Sequence, residues 1–245
     1  MIKFFRKIRQ QLLAENKFGK YVFYAIGEIA LVVAGILIAL QINNWNDLGK
    51  EQKLEIEILI EIQGNLKTDL DEHQANLHFI GQRLIASEKL LFNIKHDKHF
   101  NDTIAPMISF IAFAAPHANT VITGYKRMIN SNGEIVSNDS LRAQISLIYE
   151  NYYPWLSDIF KELFLTQTAY VNEIIVENFV IRESNSYMPI YEPENFRDLK
   201  NNTTLLTAIE AHMKYWEVIK GFYTEYLAEI EKVIISIDNE LIRKG

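Results

Sequence analysis

One acid, Glu28, stands inside an otherwise apolar or small run from Tyr21 to Leu40. An ionisable group at mid-membrane depth costs about 3 kcal/mol on insertion scales, so it normally faces a partner or a water path. On a helical wheel Glu28, Val32, Gly35 and Ala39 share one face, and Ala30 with Ala34 forms a second pair of small residues four apart. Small residues let helix backbones approach closely, and a polar side chain can bond across such an interface. Three chemistries suit this arrangement. Glu28 can serve helix–helix association, act as an ion- or proton-coupling carboxylate, or snorkel towards the inner interface.

Other reactive residue types form weaker patterns. His96 and His99 lie three apart with His117 beyond, but no acidic spacing supports a metal site, so a solvated turn is expected and no metal. His73 and His78 are five apart and do not share a helical face well. Tyr149, Tyr152, Tyr153 and Trp155 could line a ligand pocket, but packing around a kink at Pro154 is the expected reading, since a bundle needs large side chains there. No phosphate-binding glycine loop, G-x-S-x-G elbow or H-E-x-x-H is present. The chain has no Cys, which removes disulfides, thiolate metal sites and Cys nucleophiles. The expectation is a non-enzymatic chain without a cofactor.

The elements that position these residues follow from composition. Only 10 Gly and 5 Pro occur in 245 residues, 49% of them hydrophobic, which favours long helices. Residues 1–20 carry six bases against Glu15, whereas residues 46–245 hold 19 bases and 29 acids. An acidic body would repel nucleic-acid phosphates, so no nucleic-acid partner is expected. The basic leader before an apolar run reads instead as topology. Residues Tyr21–Leu40 span about 30 Å as a helix, the thickness of a hydrocarbon core. Tyr21, Tyr24 and Trp45 flank it as interfacial aromatics would.

Six bases precede the span, and only Lys50 and Lys53 follow closely. The positive-inside rule therefore predicts a cytoplasmic segment 1–20, a transmembrane helix 21–45 and an extracytoplasmic domain 46–245 in an inner membrane. The residues before Trp45 offer no convincing cleavage site, so a signal anchor is expected. Lys3, Arg6, Lys7 and Arg9 alternate with Phe5, Ile8 and Leu12 as in a basic amphipathic helix on an anionic leaflet. A disordered basic tail is the alternative.

The stretches Met1-Ile2-Lys3-Phe4-Phe5-Arg6-Lys7-Ile8-Arg9, Tyr24-Ala25-Ile26-Gly27-Glu28-Ile29 and Gly35-Ile36-Leu37-Ile38-Ala39-Leu40-Gln41-Ile42-Asn43-Asn44-Trp45-Asn46 carry a resemblance. They resemble the N-terminal signature of an uncharacterised bacterial domain-of-unknown-function family of single-span membrane proteins with a helical body. The resemblance implies topology and brings no activity.

Three long helices are expected in the body. Residues 50–96 repeat Leu70, Leu77, Leu84 and Leu91 every seven positions, with Leu66, Ile80 and Ile94 between them and His73 and Ser87 as polar exceptions. A second helix begins after Ser137 or Asn138, kinks at Pro154, and buries Leu141, Ile145, Ile148, Tyr152, Ile159, Leu163, Tyr170 and Ile174. A third runs from Thr203 to Lys244 on rows including Trp216, Tyr223, Ile230 and Ile237. Ile104–Ala115 should be a short buried helix at the far end, and Tyr125–Ile129 another, stopped by Asn132-Gly133. The fold class is all-α: a transmembrane helix, then an antiparallel bundle of three long helices with short capping helices. In that order the second helix returns towards the membrane, leaving the loop 182–202 beside it.

The function read from these features is a membrane-anchored helical interaction or sensory-type module. It would associate with itself or another membrane protein through its span. A subunit of an ion-coupled complex using Glu28 is the alternative, and an extracytoplasmic enzyme a second one.

Overall fold

A computed structural model describes residues 18–96, 99–101, 103–113, 119–131, 134–166, 172–182 and 189–245. The leader bases Lys3, Arg6, Lys7 and Arg9 lie outside the described residues, as do Asn132-Gly133 and Tyr170. The described elements are α1 (Phe18–Lys95), α2 (Ala105–Phe113), α3 (Thr123–Asn130) and α4 (Asp139–Leu147). A π-helical turn (Ile148–Tyr152), α5 (Tyr153–Thr166) and α6 (Asn172–Asn178) follow. Then come strands β1 (Phe179–Arg182) and β2 (Ile190–Pro193), a 3-10 turn (Asp198–Asn201) and α7 (Thr203–Lys244). Among the described residues the chain is all-α apart from that two-stranded antiparallel ribbon, in which Phe179 faces Pro193 and Arg182 faces Ile190.

The chain divides into two compact units, Met1–Leu54 and Glu55–Gly245. In the first, α1 exposes its apolar residues all round: Phe23, Ile29, Leu31, Leu37 and Ile38 are uncovered. Past Ile42, Asn43 donates to Asp47 at 3.1 Å and Lys50 pairs with Asp47 at 2.9 Å.

In the second unit, α7 runs antiparallel to α1. Lys244 pairs with Glu55 at 2.8 Å, Tyr223 meets His73, Arg83 reaches His212, and Lys95 pairs with Glu210 at 2.6 Å. The bounds of α7 are those its apolar rows indicated, and Trp216, Tyr223, Ile230 and Ile237 are all buried. The side chain of Asn202 caps it by accepting from the Leu205 N–H at 3.0 Å.

The direction of the second helix departs from the expectation. The stretch 119–137 itself travels back along α1: Asn119 meets Glu72, Val121 meets Asp69, Gly124 meets Asn65, Arg127 meets Glu61 and Glu57, and Ser137 meets Glu55. The helix starting at Asn138 consequently runs parallel to α1, with Tyr153 beside Asp69. The segment 189–202 lies at the Lys95 end of α1, not at the Glu55 end. Its Phe196 packs on Phe100 at 5.6 Å and joins a core with Leu90, Ile94, Ile104, Ile108 and Leu205. α2 supplies Ile108 and Ile111, and the residue before it Ile104, to this far-end core, where a short buried helix was expected.

Pro154 acts one turn earlier than its position. Proline lacks an N–H and clashes with the carbonyl four residues back. The chain answers with the π turn, in which the Tyr153 N–H donates to the Ile148 carbonyl. That turn carries one extra residue, so the buried face moves on by one. Leu141, Ile145 and Ile148 are buried as expected, but Tyr149, Tyr153, Leu156 and Phe160 then replace Tyr152 and Ile159, which are half-buried; the Leu163 side chain lies outside the description. Asn138 is the N-cap, accepting from the Leu141 N–H at 3.2 Å.

The α1 seam is shifted too. The most buried line is Leu59, Ile62, Leu66, Asp69, His73, Ile80, Arg83, Ser87, Leu90 and Ile94, with Asn76 half-buried in the same 3–4 spacing. Leu70, Leu77, Leu84 and Leu91 flank it, half-buried. Apolarity alone put those leucines in the seam. The structure buries Asp69, His73, Asn76 and Arg83, because each finds polar partners there.

α3 meets α1 so closely that a Cβ on Gly124 would lie 2.8 Å from the Ile62 backbone nitrogen. A Cβ on Gly64 meets nothing within 4 Å. Gly124→Ala should therefore destabilise the purified chain by roughly 1–3 kcal/mol in denaturant unfolding. Gly64→Ala, which gains only helix propensity, should be neutral or stabilising by up to about 1 kcal/mol.

Candidate functional site

The residues singled out in the span sit on α1 within the first unit. Glu28 is half-exposed, and Ala30, Ala34, Gly35 and Ala39 are exposed. A Cβ on Gly35 would meet nothing within 4 Å, so this face has room for another helix backbone. Of the three histidines weighed as ligands, His117 lies outside the described residues. His96 turns its Nδ1 to the Phe92 carbonyl at 2.9 Å and stacks on the Phe92 ring. Among the described residues no group of three His, Cys, Asp or Glu is placed to hold a metal ion.

The densest chemistry lies inside the second unit, along the polar part of the α1 seam. Asp69 accepts from the Val121 N–H at 3.0 Å through Oδ1, and its Oδ2 receives the Tyr153 hydroxyl. Burial raises its pKa, and those hydrogen bonds oppose the rise. His73 is fully buried, with Nδ1 at 2.7 Å from the Tyr223 hydroxyl. That hydroxyl also accepts from Asn76 Nδ2 at 3.3 Å. Desolvation pushes the His73 pKa down to about 4, leaving it neutral near pH 7. The rings of Tyr153, Tyr223 and Tyr226 surround it edge-on or tilted at 5.2–6.5 Å. Burial raises the pKa of each of these tyrosines, which keeps all three hydroxyls protonated. Of the aromatics read as kink packing, Tyr149 stacks on Tyr125 at 4.5 Å and Trp155 meets Phe222 edge-on at 5.4 Å.

About three turns beyond His73 along α1, Arg83 is also fully buried. Its Nε donates to His212 Nε2 at 3.2 Å, its Nη2 donates to the Ile111 carbonyl, and its Cζ lies 4.9 Å over the Trp216 ring. His212 Nε2 also accepts from Trp216 Nε1 at 2.8 Å, so it carries a lone pair and the ring is neutral. Burial, reinforced by the Arg83 charge, holds the His212 pKa down at about 3. Burial lowers that of Arg83 to about 9, which still leaves it cationic at pH 7. No carboxylate among the described residues pairs with it.

Sequence reasoning weighed His73 as a polar exception and against His78, and did not group it with Asp69, Asn76, Arg83, His212, Tyr223 and Tyr226. A usable signal was present: Asp69, His73, Asn76, Arg83 and Ser87 recur at heptad spacing with Ile80. At the Glu55 end a second polar group closes the unit. Lys244 bridges Glu55 at 2.8 Å and Glu240 at 3.3 Å, and Asn138 donates to Glu240 at 3.0 Å. Led by the Arg243 hydrogen bond, these partners bring the Glu240 pKa down to about 2.

His73 and His212 have native pKa values below their unfolded value of about 6.5, so unfolding takes up a proton at each. Their contribution is complete above about pH 6.5 and drains away as pH falls towards 4. Asp69, raised in the fold, acts oppositely in the range just above 3.8. Unfolding free energy measured from pH 6 to 4.5 should fall by about 2–3 kcal/mol per pH unit. His73→Gln and His212→Gln should each remove about half of that slope.

No curated protein and no solved structure matches this chain. A family match begins at Glu28 and ends at Ile175, covering the second half of the apolar segment, the polar seam of α1 and the stretch that returns along it. With residues 28–175 matched, the chain belongs to DUF6090, a family of unknown function.

Proposed function

We propose that this chain is a non-enzymatic, membrane-anchored helical interaction module. One observation carries the reading. An 18-residue window of α1 has a mean hydropathy of 2.3, and none of it is covered by protein. Apolar surface of that extent in water is unfavourable by about 25 cal/mol per Å², and a bilayer removes the cost. In this reading residues 21–45 span the inner membrane, 1–20 face the cytoplasm, and 46–245 form an extracytoplasmic helical bundle. The bases before the span support that orientation, and Lys3, Arg6, Lys7 and Arg9 bind the anionic inner leaflet.

The non-enzymatic part is supported by how the buried polar groups are used. Asp69 is committed to Val121 and Tyr153, and His73 to Tyr223, so neither is poised on an open cleft. Glu28, Ala30, Ala34, Gly35 and Ala39 supply an association surface, either for a second copy or for another membrane protein.

The chain has no Cys, so single cysteines report topology cleanly. Asn93→Cys should react with a membrane-impermeant maleimide added outside intact cells. Labelling only after the inner membrane is permeabilised would overturn the orientation, and solubility without detergent would overturn the anchor.

Glu28→Gln and Gly35→Leu test the span. Neither disturbs a packed core, so loss of crosslinked oligomers or captured partners on either change supports association through this face. Intact assembly in Glu28→Gln together with loss of an ion-dependent activity would favour a coupling carboxylate instead.

A further inference from the structure

Three tyrosines form a file that leads into the core of the second unit. Tyr125 on α3 is half-buried, and its hydroxyl donates to the exposed carboxylate of Glu150. Its ring stacks on Tyr149 of the π turn, with centroids 4.5 Å apart and planes 4° from parallel. Tyr149 in turn meets Tyr153 edge-on at 5.0 Å, and the buried Tyr153 donates its hydroxyl proton to Asp69. At both ends of the file a phenolic proton therefore faces a carboxylate.

The middle residue is the informative one. Tyr149 is buried, and its hydroxyl has no hydrogen-bond partner among the described residues. An unmet buried hydroxyl costs about 1–3 kcal/mol, and phenylalanine would fill the same ring space without it. What phenylalanine lacks is an easily oxidised ring, because only the phenol oxygen feeds electron density into the π system. Packing accounts for an aromatic ring at position 149 but not for a phenol. The π turn, whose extra residue turns Tyr149 and Tyr153 inward, is an irregularity of the kind often kept at functional positions.

We propose that Tyr125, Tyr149 and Tyr153 form a one-electron relay that draws an oxidising equivalent from the surface to Tyr153 and holds it there as a phenoxyl radical. An oxidant of the peroxyl or carbonate radical class gains one electron at the surface and is reduced. The electron leaves Tyr153 by way of Tyr149 and Tyr125, both of which end unchanged. At Tyr153 the O–H bond breaks, and its proton passes to Asp69 Oδ2. The products are a neutral phenoxyl radical and a neutral carboxylic acid. Burial sets the direction. Protonating Asp69 removes a charge from the core, where desolvation already raises its pKa, whereas the exposed Glu150 has no such gain. The relay lies wholly within the second unit and does not depend on the topology proposed above.

The test uses the full chain in detergent, oxidised by tris(bipyridine)ruthenium(III) generated in a laser flash with an electron-accepting quencher. Phenoxyl absorbance and electron paramagnetic resonance follow the radical. A long-lived signal is expected after the radicals of exposed tyrosines have decayed. Tyr153→Phe should remove that long-lived signal. Tyr149→Phe loses only an unpaired hydroxyl, so it should keep the fold while slowing the rise of the signal. Absence of a long-lived radical in the unaltered chain overturns the proposal. So does its persistence in Tyr153→Phe, or an unchanged rise in Tyr149→Phe. If Tyr153→Phe fails to fold, Tyr149→Phe decides.

Discussion

The second unit depends on how one helix satisfies the backbone of the segment that folds back on it. The stretch 119–137 contains only a short helix, so many of its N–H groups lack regular partners. α1 supplies acceptors in order. Glu72 takes the N–H of Asn119, Asp69 that of Val121, Asn65 that of Gly124 and Glu55 that of Ser137. Unmet buried N–H groups are costly, so this run of side chains makes an irregular return path tolerable. Gly124 completes the fit, since only a residue without Cβ lets α3 approach the Ile62 backbone this closely.

That return sets everything after it. Because 119–137 has already travelled back to Glu55, the helix beginning at Asn138 must run outward again, parallel to α1. α7 then fills the remaining face in the opposite direction. The π turn before Pro154 serves the same packing. Its extra residue rotates Tyr149 and Tyr153 inward, where Tyr153 donates to the same Asp69 carboxylate that accepts from Val121. One carboxylate thus joins three segments of chain: α1, the return path and the start of α5.

The buried polar line also gives the unit its specificity. A seam of leucines alone would pack in several registers with similar energy, whereas His73 must meet Tyr223 and Arg83 must meet His212. Each pairing is local to one height along α1, and together they fix the offset of α7. The far-end core around Leu90, Ile104, Phe179 and Phe196 is apolar and holds the short elements that carry no such markers.

Much was legible in the amino-acid order alone. The apolar run around Glu28, the charge imbalance across it, the bounds of α7 and the Asn138 cap all rest on hydropathy, charge and short-range geometry. Those properties belong to a few neighbouring residues and do not depend on the rest of the chain. The ribbon 179–193, the direction of the second helix, the shift from Leu70, Leu77, Leu84 and Leu91 to Asp69, Asn76, Arg83 and Leu90, and the grouping of His73 with Tyr223 were decided by tertiary structure. A polar side chain is buried only when its partner arrives from far along the sequence. Whether a seam runs through leucines or through Asp69 and Arg83 is therefore settled by contacts spanning from 28 to 129 residues, which no local pattern encodes.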